Sequence, residues 1–431
     1  MASHGLVVAG LTSGSGKTTV TLGLLRAMTR AGLSVCAAKS GPDYIDSAFL
    51  AAASGAPAVN LDSHAMVPAH LRQLAADSPC PMLLIEGVMG LFDGTDGGSG
   101  STVSVAAALR APVMLVLDAR HQGQTAAVLA AGIATQLPDG VALAGVVLNR
   151  IASPRHQLLI TEALADRGIA MFGSLPANGD IEIPSRHLGL VQAADLAATG
   201  ALDPVIEQAA DLVAANLDLT AIEAAFRQLA GSDDQPTRLP PPGQRIAVAR
   251  DAAFGFAYEH MMAGWLAAGA EITTFSPLAN ETPDSSADFI FLPGGYPELH
   301  LPVLSSAGSF LDGLRKAAAR GTRIYGECGG YMVLGDAITG ADGESHDMAG
   351  LLRLQTSFAS RKLHLGYRRM TPLTGFWPGL PPVSGHEFHY TSAIRAEGDP
   401  LFAMADAGGR DLGTTGLASG PVAGSYAHII A

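Results

Sequence analysis

Leu6-Val7-Val8-Ala9-Gly10-Leu11-Thr12-Ser13-Gly14-Ser15-Gly16-Lys17-Thr18-Thr19 decides the fold of the first half of this chain. A short apolar run ends in glycines, and the glycines end in Lys-Thr-Thr at the head of an Ala/Leu-rich stretch. Strand, glycine loop and helix in that order expose free backbone N–H groups to an anion, and the helix dipole adds to the attraction. In a phosphate loop Lys17 reaches the β/γ-phosphates and the Thr18 hydroxyl ligates Mg²⁺. The strict G-x-x-x-x-G-K-[ST] spacing is not met. Leu11 stands where the first glycine belongs and Gly10 lies one residue earlier, so the loop is one residue longer.

Outward from that loop the same rhythm continues. Apolar β-type runs at Leu6–Leu11, Ser34–Lys39, Leu83–Val88, Val113–Ala119 and Leu143–Asn149 alternate with helical stretches. Apolar runs of that length with helical spacers predict a parallel sheet covered on both faces, with functional residues at the carboxyl ends of strands. Gly10, Lys39, Glu86, Asp118 and Asn149 all close or follow such runs. Magnesium bound with ATP takes one or two carboxylates. Glu86 is the expected ligand together with Thr18, and Asp43 is the second carboxylate. Lys39 is placed to neutralise the γ-phosphate as charge moves. The Gly/Asp/Ser patch Asp93–Ser101 reads as a mobile loop beside this site.

The stretch Gly231–Gly243 is polar and proline-rich without apolar period, and it reads as a linker. It divides the chain into an expected first domain, 1–230, and a second, 244–431. At 431 residues two domains are the natural count. The second α/β series runs through Arg245–Arg250, Phe289–Pro293 and Arg323–Glu327, with strands and turns from Lys362 to Arg395. The fold class expected is therefore α/β, a parallel-sheet phosphate-loop domain followed by a second α/β domain.

The second domain carries Tyr325-Gly326-Glu327-Cys328-Gly329-Gly330. A cysteine on a tight strand-to-helix turn faces a helix N-terminus, which favours thiolate. Backbone N–H groups of Gly294, Gly295 and Gly329 are candidates for an oxyanion hole. His428 is the candidate base. The usual triad pattern places a Glu two residues after this histidine, but here that residue is Ile430, so the pair is a Cys–His dyad or takes its acid from elsewhere, Glu387 being one candidate. His386-Glu387-Phe388-His389 falls one residue short of a zinc motif, and strand alternation separates the two histidines; it reads as strand, with no zinc.

Bulk properties exclude several classes. A net charge of −13 disfavours nucleic acid as a partner. No stretch approaches the apolar length of a membrane span, and the N-terminal run is too short for a signal peptide. Three cysteines, Cys36, Cys80 and Cys328, none at metal-ligand spacing, fit a reducing cytoplasm. Haem is not expected.

Taken together, Ser-Gly-Ser-Gly-Lys-Thr-Thr, Lys39-Ser-Gly-Pro-Asp43-Tyr-Ile-Asp46, Glu86-Gly-Val-Met-Gly-Leu-Phe-Asp93-Gly, Pro184-Ser-Arg186-His187-Leu-Gly-Leu190, Leu292-Pro-Gly-Gly-Tyr-Pro-Glu298, Gly-Glu-Cys328-Gly-Gly-Tyr-Met and His386-Glu-Phe-His-Tyr390 resemble the a,c-diamide synthases of corrinoid biosynthesis. They occur in family order across nearly the whole chain. The longer phosphate loop resembles that of dethiobiotin synthetase-like enzymes. The resemblance implies a glutamine amidotransferase fused to an ATP-using amide synthase. Glutamine is hydrolysed at Cys328 with help from His428, and ATP activates the c and then the a carboxylate of a corrin-type polycarboxylate. Asp43, Asp46 and Asp93 then handle substrate and metal, Gly14 to Thr19 and Lys39 hold the nucleotide, and Asn149 touches adenine. Arg186, His187 and Arg368 supply the cationic patch such an acceptor needs. Hydrogenobyrinic acid is the expected acceptor and cobyrinic acid the alternative; a nucleotide-driven switch protein and a stand-alone glutaminase are the rivals from other classes. A homodimer is an assembly the resemblance leaves open.

Overall fold

The computed structural model describes residues 4–177, 193–231 and 238–431. The chain divides into two compact units, Met1–Thr237 and Arg238–Ala431.

The first unit is built on β1 (His4–Gly10), β2 (Val35–Ser40), β3 (Val59–Leu61), β4 (Met82–Glu86), β5 (Val113–Asp118), β6 (Leu143–Ile151), β7 (Met171–Pro176) and the short β8 (Arg227–Gln228). The order β3-β2-β4-β1-β5-β6-β7 is parallel throughout, and β8 pairs antiparallel with the start of β1. Helices α1 (Lys17–Arg30), α2 (Tyr44–Ser54), α3 (Pro68–Ala76), α4 (Thr102–Leu109), α5 (Thr125–Gln136) and α6 (Pro154–Ala165) make the crossovers, and α7 (Ala193–Ala198), α8 (Leu202–Asn216) and α9 (Leu219–Glu223) follow. Six of the seven β1 residues and all six of β2 are buried, which is why both read as unbroken apolar runs. The chain extends the sheet first on one side of β1 and then on the other. That reversal opens a crevice at the carboxyl ends beside β1, where the phosphate loop lies. The strands missed by sequence reading are the three-residue β3 and the peripheral β7, which are short or interrupted by glycine and polar residues.

The second unit begins with β9 (Arg245–Ala249), α10 (Glu259–Ala267), β10 (Glu271–Phe275), β11 (Phe289–Leu292), α11 (Leu301–Ser306), α12 (Gly308–Ala319), β12 (Arg323–Glu327) and α13 (Gly329–Val333). It continues through β13 (Ala337–Thr339), β14 (Ser345–Asp347), β15 (Arg353–Ser357), β16 (His364–Pro372), β17 (Val383–His389), β18 (Ser392–Glu397), β19 (Phe402–Asp406), β20 (Asp411–Thr415), β21 (Leu417–Ser419), β22 (Val422–Ser425) and β23 (His428–Ile429). The main sheet has the order β10-β9-β11-β12-β22-β21, parallel except for its last pair. Phe310, Leu311, Leu314 and Ala317 form the buried stripe of α12 at helical spacing, and they join Phe254, Phe275, Ile324 and Met332 in one core. A smaller antiparallel sheet, β20-β19-β16-β17-β23, carries the last strand to the end of β22. The expected strands between Lys362 and Arg395 are present, and the architecture is α/β in both units.

One pairing was not expected from the sequence. Cys36 on β2 and Cys80, two residues before β4, form a disulfide with Cα atoms 5.5 Å apart. In register Cys36 lies opposite Leu83, so the two chains run side by side there and a bond between the thiols requires no detour. A cysteine count carries no such neighbour information. Cys328 alone remains free.

Candidate active sites

In the phosphate loop, Gly14 and Gly16 take φ of 74° and 94°, backbone that a side chain would strain. A Cβ on Gly16 would also lie 2.1 Å from Asn149 Nδ2. The loop therefore closes tightly over the strand ends. Lys17 is buried and curls back, its Nζ donating to the carbonyls of Thr12 (3.0 Å) and Met89 (2.7 Å). Burial, helped by the charge of Lys39, lowers its proton affinity. These carbonyls hold the ammonium over the loop in the position from which an anion can take it.

Glu86 closes β4 with no exposed surface, and Thr18 Oγ1 donates to its Oε1 at 2.6 Å. Lys39 Nζ bridges Glu86 Oε1 (2.9 Å) and Asp46 Oδ2 (2.6 Å). Burial pushes the Glu86 carboxyl up while Lys39 pulls it down. For Lys39 burial works to lower the affinity, but Glu86 and Asp46 outweigh it and hold the ammonium well above its ordinary range. Glu86 Oε2 is buried with no hydrogen-bond partner. A buried carboxylate oxygen is rarely left this way without a ligand to receive. With the Thr18 hydroxyl beside it, the donor set is hard oxygen and fits Mg²⁺.

The three aspartates flank this centre. Asp43 Oδ1 caps α2, accepting from the backbone N–H of Ile45 (2.8 Å) and Asp46 (3.1 Å). Burial and the neighbouring Asp46 raise its carboxyl to about 7. Asp93 is exposed and accepts from Gly90 N at 2.9 Å. Its loop, which reads as mobile from sequence, carries several hydrogen bonds. Thr95 N donates to Ser99 O (2.9 Å), Ser101 Oγ to Gly98 O (2.7 Å), and Gly100 N to Ser63 Oγ (3.0 Å). Hydroxyls close in sequence pin it down, a pattern that glycine content alone conceals.

The second unit holds the thiol. Cys328 follows β12 with φ 46° and ψ −103°, a strained conformation that turns its side chain out of the strand. Its N–H donates to Ser425 O at 2.8 Å, across the parallel β12–β22 pair. His428 lies three residues beyond β22, so one pair of strands delivers both groups to the same sheet end. A Cβ on Gly294 would lie 2.1 Å from His428 Cε1, and one on Gly329 would lie 3.1 Å from Gly295 N. The Pro-Gly-Gly loop thus abuts both the imidazole and the turn after the thiol, and only glycine admits that approach. Burial pushes the Cys328 thiol up, Glu298 adding to it and the Gly329 N–H opposing. Burial, with His386 and His389, brings His428 down to about 3. At rest the pair is a neutral thiol and a neutral imidazole, the form able to accept a proton.

Sequence reading leaves the third group of this site open, with Glu387 as one candidate. Glu387 is held by Arg368, whose Nε donates to it at 2.7 Å. Glu327, the residue before the thiol, is buried with Oε2 3.7 Å from His428 Nδ1 and Oε1 accepting from Ile429 N at 3.0 Å.

The comparisons with known proteins cover both sites. Residues 6–191 match the family model described as CobQ/CobB/MinD/ParA nucleotide binding domain, and residues 245–431 match the CobB/CobQ-like glutamine amidotransferase domain. The hydrogenobyrinate a,c-diamide synthase of a Sinorhizobium species is 50% identical over 99% of this chain and 98% of its own. The chain belongs to the hydrogenobyrinate a,c-diamide synthase family. Proteins of that name from Rhizobium meliloti (50% identical over 99% of both chains) and Rhodobacter capsulatus (47% over 99% of this chain and 98% of its own) are similar along their whole length.

For a member of this family the remaining expected residues are distributed as follows. Asn149 is buried, and its Nδ2 donates to Ser15 O at 2.9 Å, so its amide supports the phosphate loop. Thr19 lies in the first turn of α1 behind Thr18. Arg368 is paired with Glu387 in the second unit. Arg186 and His187 lie outside the described residues. Two residues without an assigned role join the loop. Arg150, at φ 60°, donates from Nη1 to Gly14 O (2.8 Å) and Asp118 Oδ2 (2.7 Å). An arginine beside Asn149 after a strand was the available signal.

Proposed function

We infer that this protein is a glutamine-hydrolysing, ATP-dependent ligase that amidates the a and c side-chain carboxylates of hydrogenobyrinic acid in cobalamin biosynthesis. The observation that carries the reading is that both half-sites are built within one chain that is similar over its full length to proteins of that name. The first has a phosphate loop with Thr18 on a buried Glu86; the second has a strained Cys328 with His428 delivered by the adjacent strand.

At the second site His428 takes the Cys328 proton and the thiolate adds to the amide carbon of glutamine. The carbonyl electron pair moves onto oxygen, where N–H groups of Gly295 and Gly329 stabilise it. Collapse returns the proton to nitrogen and expels ammonia, leaving a thioester for water to hydrolyse. At the first site a carboxylate of the acceptor attacks the γ-phosphorus of ATP, giving an acyl phosphate and ADP. Ammonia then displaces phosphate. A free carboxylate lacks a leaving group, and the anhydride supplies one. Ammonium is inert, so ammonia must reach the acyl phosphate without equilibrating with water. Magnesium, held by Thr18 and Glu86, would neutralise phosphate charge when bound. Lys17 binds the transferred phosphoryl group, while Lys39 holds Glu86 and Asp46 together through its ammonium. Asp43 and Asp93 act on the acceptor side, and Asn149 with Arg150 fixes the loop. Arg186, His187 and Arg368 are proposed to read acceptor carboxylates.

The domains proposed are 1–230 and 244–431 about a linker. The proposed compartment is the cytoplasm: among the described residues no helix is long and apolar enough to cross a membrane. A homodimer is the proposed assembly.

The test is mass spectrometry of hydrogenobyrinic acid incubated with enzyme, ATP, Mg²⁺ and glutamine. Two successive exchanges of hydroxyl for amide are expected, and Cys328→Ala should lose them with glutamine but keep them with ammonium salts. Nucleotide consumption without any amide product would overturn the reading.

A further inference from the structure

Glutamine hydrolysis needs the imidazole of His428 in one tautomer and one orientation, because the nitrogen facing the thiol must be free to accept. The position that commonly supplies the orienting carboxylate is Ile430 here. That side chain is apolar and buried, and its carbonyl lies 2.8 Å from His260 Nε2. Glu387 is closed to this role by its ion pair with Arg368, both side chains being largely buried.

Glu327 is different. It ends β12 directly before the nucleophile, opposite Ser425 in the parallel pairing, and is 2% exposed. Its two oxygens address one short strand. Oε1 accepts from the backbone of Ile429, and Oε2 faces Nδ1 of His428 at 3.7 Å. The end of β12 thus holds Cys328 against Ser425 and the carboxyl of Glu327 beside the imidazole. Contacts of this length in a resting site commonly tighten when substrate binds.

We propose that Glu327 is the positioning residue of the glutaminase site, accepting the Nδ1 proton of His428 and so leaving Nε2 as the base. The inference rests on the glutamine-hydrolysing reading above. The thiol then owes its proton acceptor to the residue immediately before it in the chain. Other charged or titratable groups nearby do not duplicate this. Glu298 and Glu387 bear on Cys328, His386 and His389 bear on His428, and Tyr325 bears on Glu327. His428 also bonds to the backbone of Phe256, which fixes where the ring sits but adds no charge to match an imidazolium.

Glutamate release from glutamine, with full kcat and KM, separates a positioning role from a structural one. Glu327→Gln keeps an oxygen for the Ile429 N–H but loses the charge. It should lower kcat at least about 10-fold, part of the 10²–10⁴ that acid–base catalysis supplies, with KM within about threefold. Ammonium-driven amidation, which uses only the first site, should stay within about twofold. Glu327→Asp keeps the charge and should recover part of the lost kcat. A smaller loss in Glu327→Gln, a parallel fall in the ammonium-driven rate, or Glu327→Asp no better than Glu327→Gln would each overturn the proposal. Wild-type enzyme that releases no glutamate would instead overturn the glutamine-hydrolysing reading itself.

Discussion

Gly294→Ala is the sharpest probe of the thiol site. The added Cβ would stand 2.1 Å from His428 Cε1 and 2.8 Å from Nε2. Carbon atoms rest about 3.5 Å apart, so the ring must retreat about 1.4 Å or the loop must move as far. Neither is easy. The imidazole has no exposed surface, and the loop is tied by the Phe256 N–H to Gly294 O at 2.9 Å. Overpacking of this kind costs about 1–3 kcal/mol of stability. Its effect on chemistry is larger, since a displacement of about 1 Å at a reacting group can cost about 10²-fold, or close to 2.7 kcal/mol of barrier. The assay is glutamate release at saturating glutamine, paired with ammonium-driven amidation to show that the first site is intact. Gly308→Ala is the matched control: it opens α12 with nothing within 4 Å, and alanine suits a helix better by about 1 kcal/mol. If Gly294→Ala hydrolyses glutamine at the wild-type rate, His428 does not sit against this loop during turnover, and the arrangement argued for the dyad is wrong.

Lys39→Met should destabilise the protein by about 3–5 kcal/mol in urea unfolding, because it leaves two acids of a buried cluster uncompensated. Lys39 is raised above its ordinary 10.5, so its contribution is complete below that pH and is lost as pH climbs through the folded value; the gap to wild type should narrow only at strongly alkaline pH. Asp43 is raised from 3.8 to about 7, so the stability it contributes is present below 3.8 and disappears as pH rises through 7. Asp43→Asn keeps the helix cap without the charge and should gain on wild type between pH 5 and 9, by at most about 4 kcal/mol at about 1.4 kcal/mol per decade, whereas equal curves would refute the buried-carboxyl account. Alkylation in denaturant without reductant should label Cys328 alone of the three cysteines. Closing the 44-residue span between Cys36 and Cys80 is worth about 4 kcal/mol, so reduction should lower the melting temperature clearly; three labelled thiols would remove the disulfide.

Much of this molecule is written locally. The buried parallel strands were legible because residues covered on both faces must be apolar on both, and β12 was bounded correctly from Arg323 to Glu327. Lys17, Thr18, Glu86 and Cys328 were legible because loop and strand-end positions carry chemistry wherever sheets of this kind occur. What stayed hidden is pairing. Strand β10 has an exposed, polar pattern and declares itself only beside β9. The Cys36–Cys80 bond, the Arg368–Glu387 ion pair and the Glu327–His428 approach each join residues from different strands. Their partners depend on register, which no one-dimensional pattern fixes. The Asn149 amide has a partner that sequence does not show, its Nδ2 donating to the loop carbonyl of Ser15.

The two halves reach the same physical arrangement from different sequences. Each ends a buried parallel strand with a glutamate, Glu86 in one and Glu327 in the other, and each glutamate is all but sealed from water. An isolated charge in such a place is costly, so each carboxyl is raised by burial. They differ in when the opposing charge arrives. Lys39 stands permanently against Glu86, opposing the effect of burial and leaving its second oxygen without a hydrogen bond. Glu327, held up to about 8, has only a neutral imidazole before it. On the role proposed for His428, taking the thiol proton would create that counter-charge 3.7 Å away. The first site is therefore charged in advance to bind a polyanion. The second would gain its counter-charge only as a proton moves, which suits a pocket that must admit a neutral amide and release neutral ammonia.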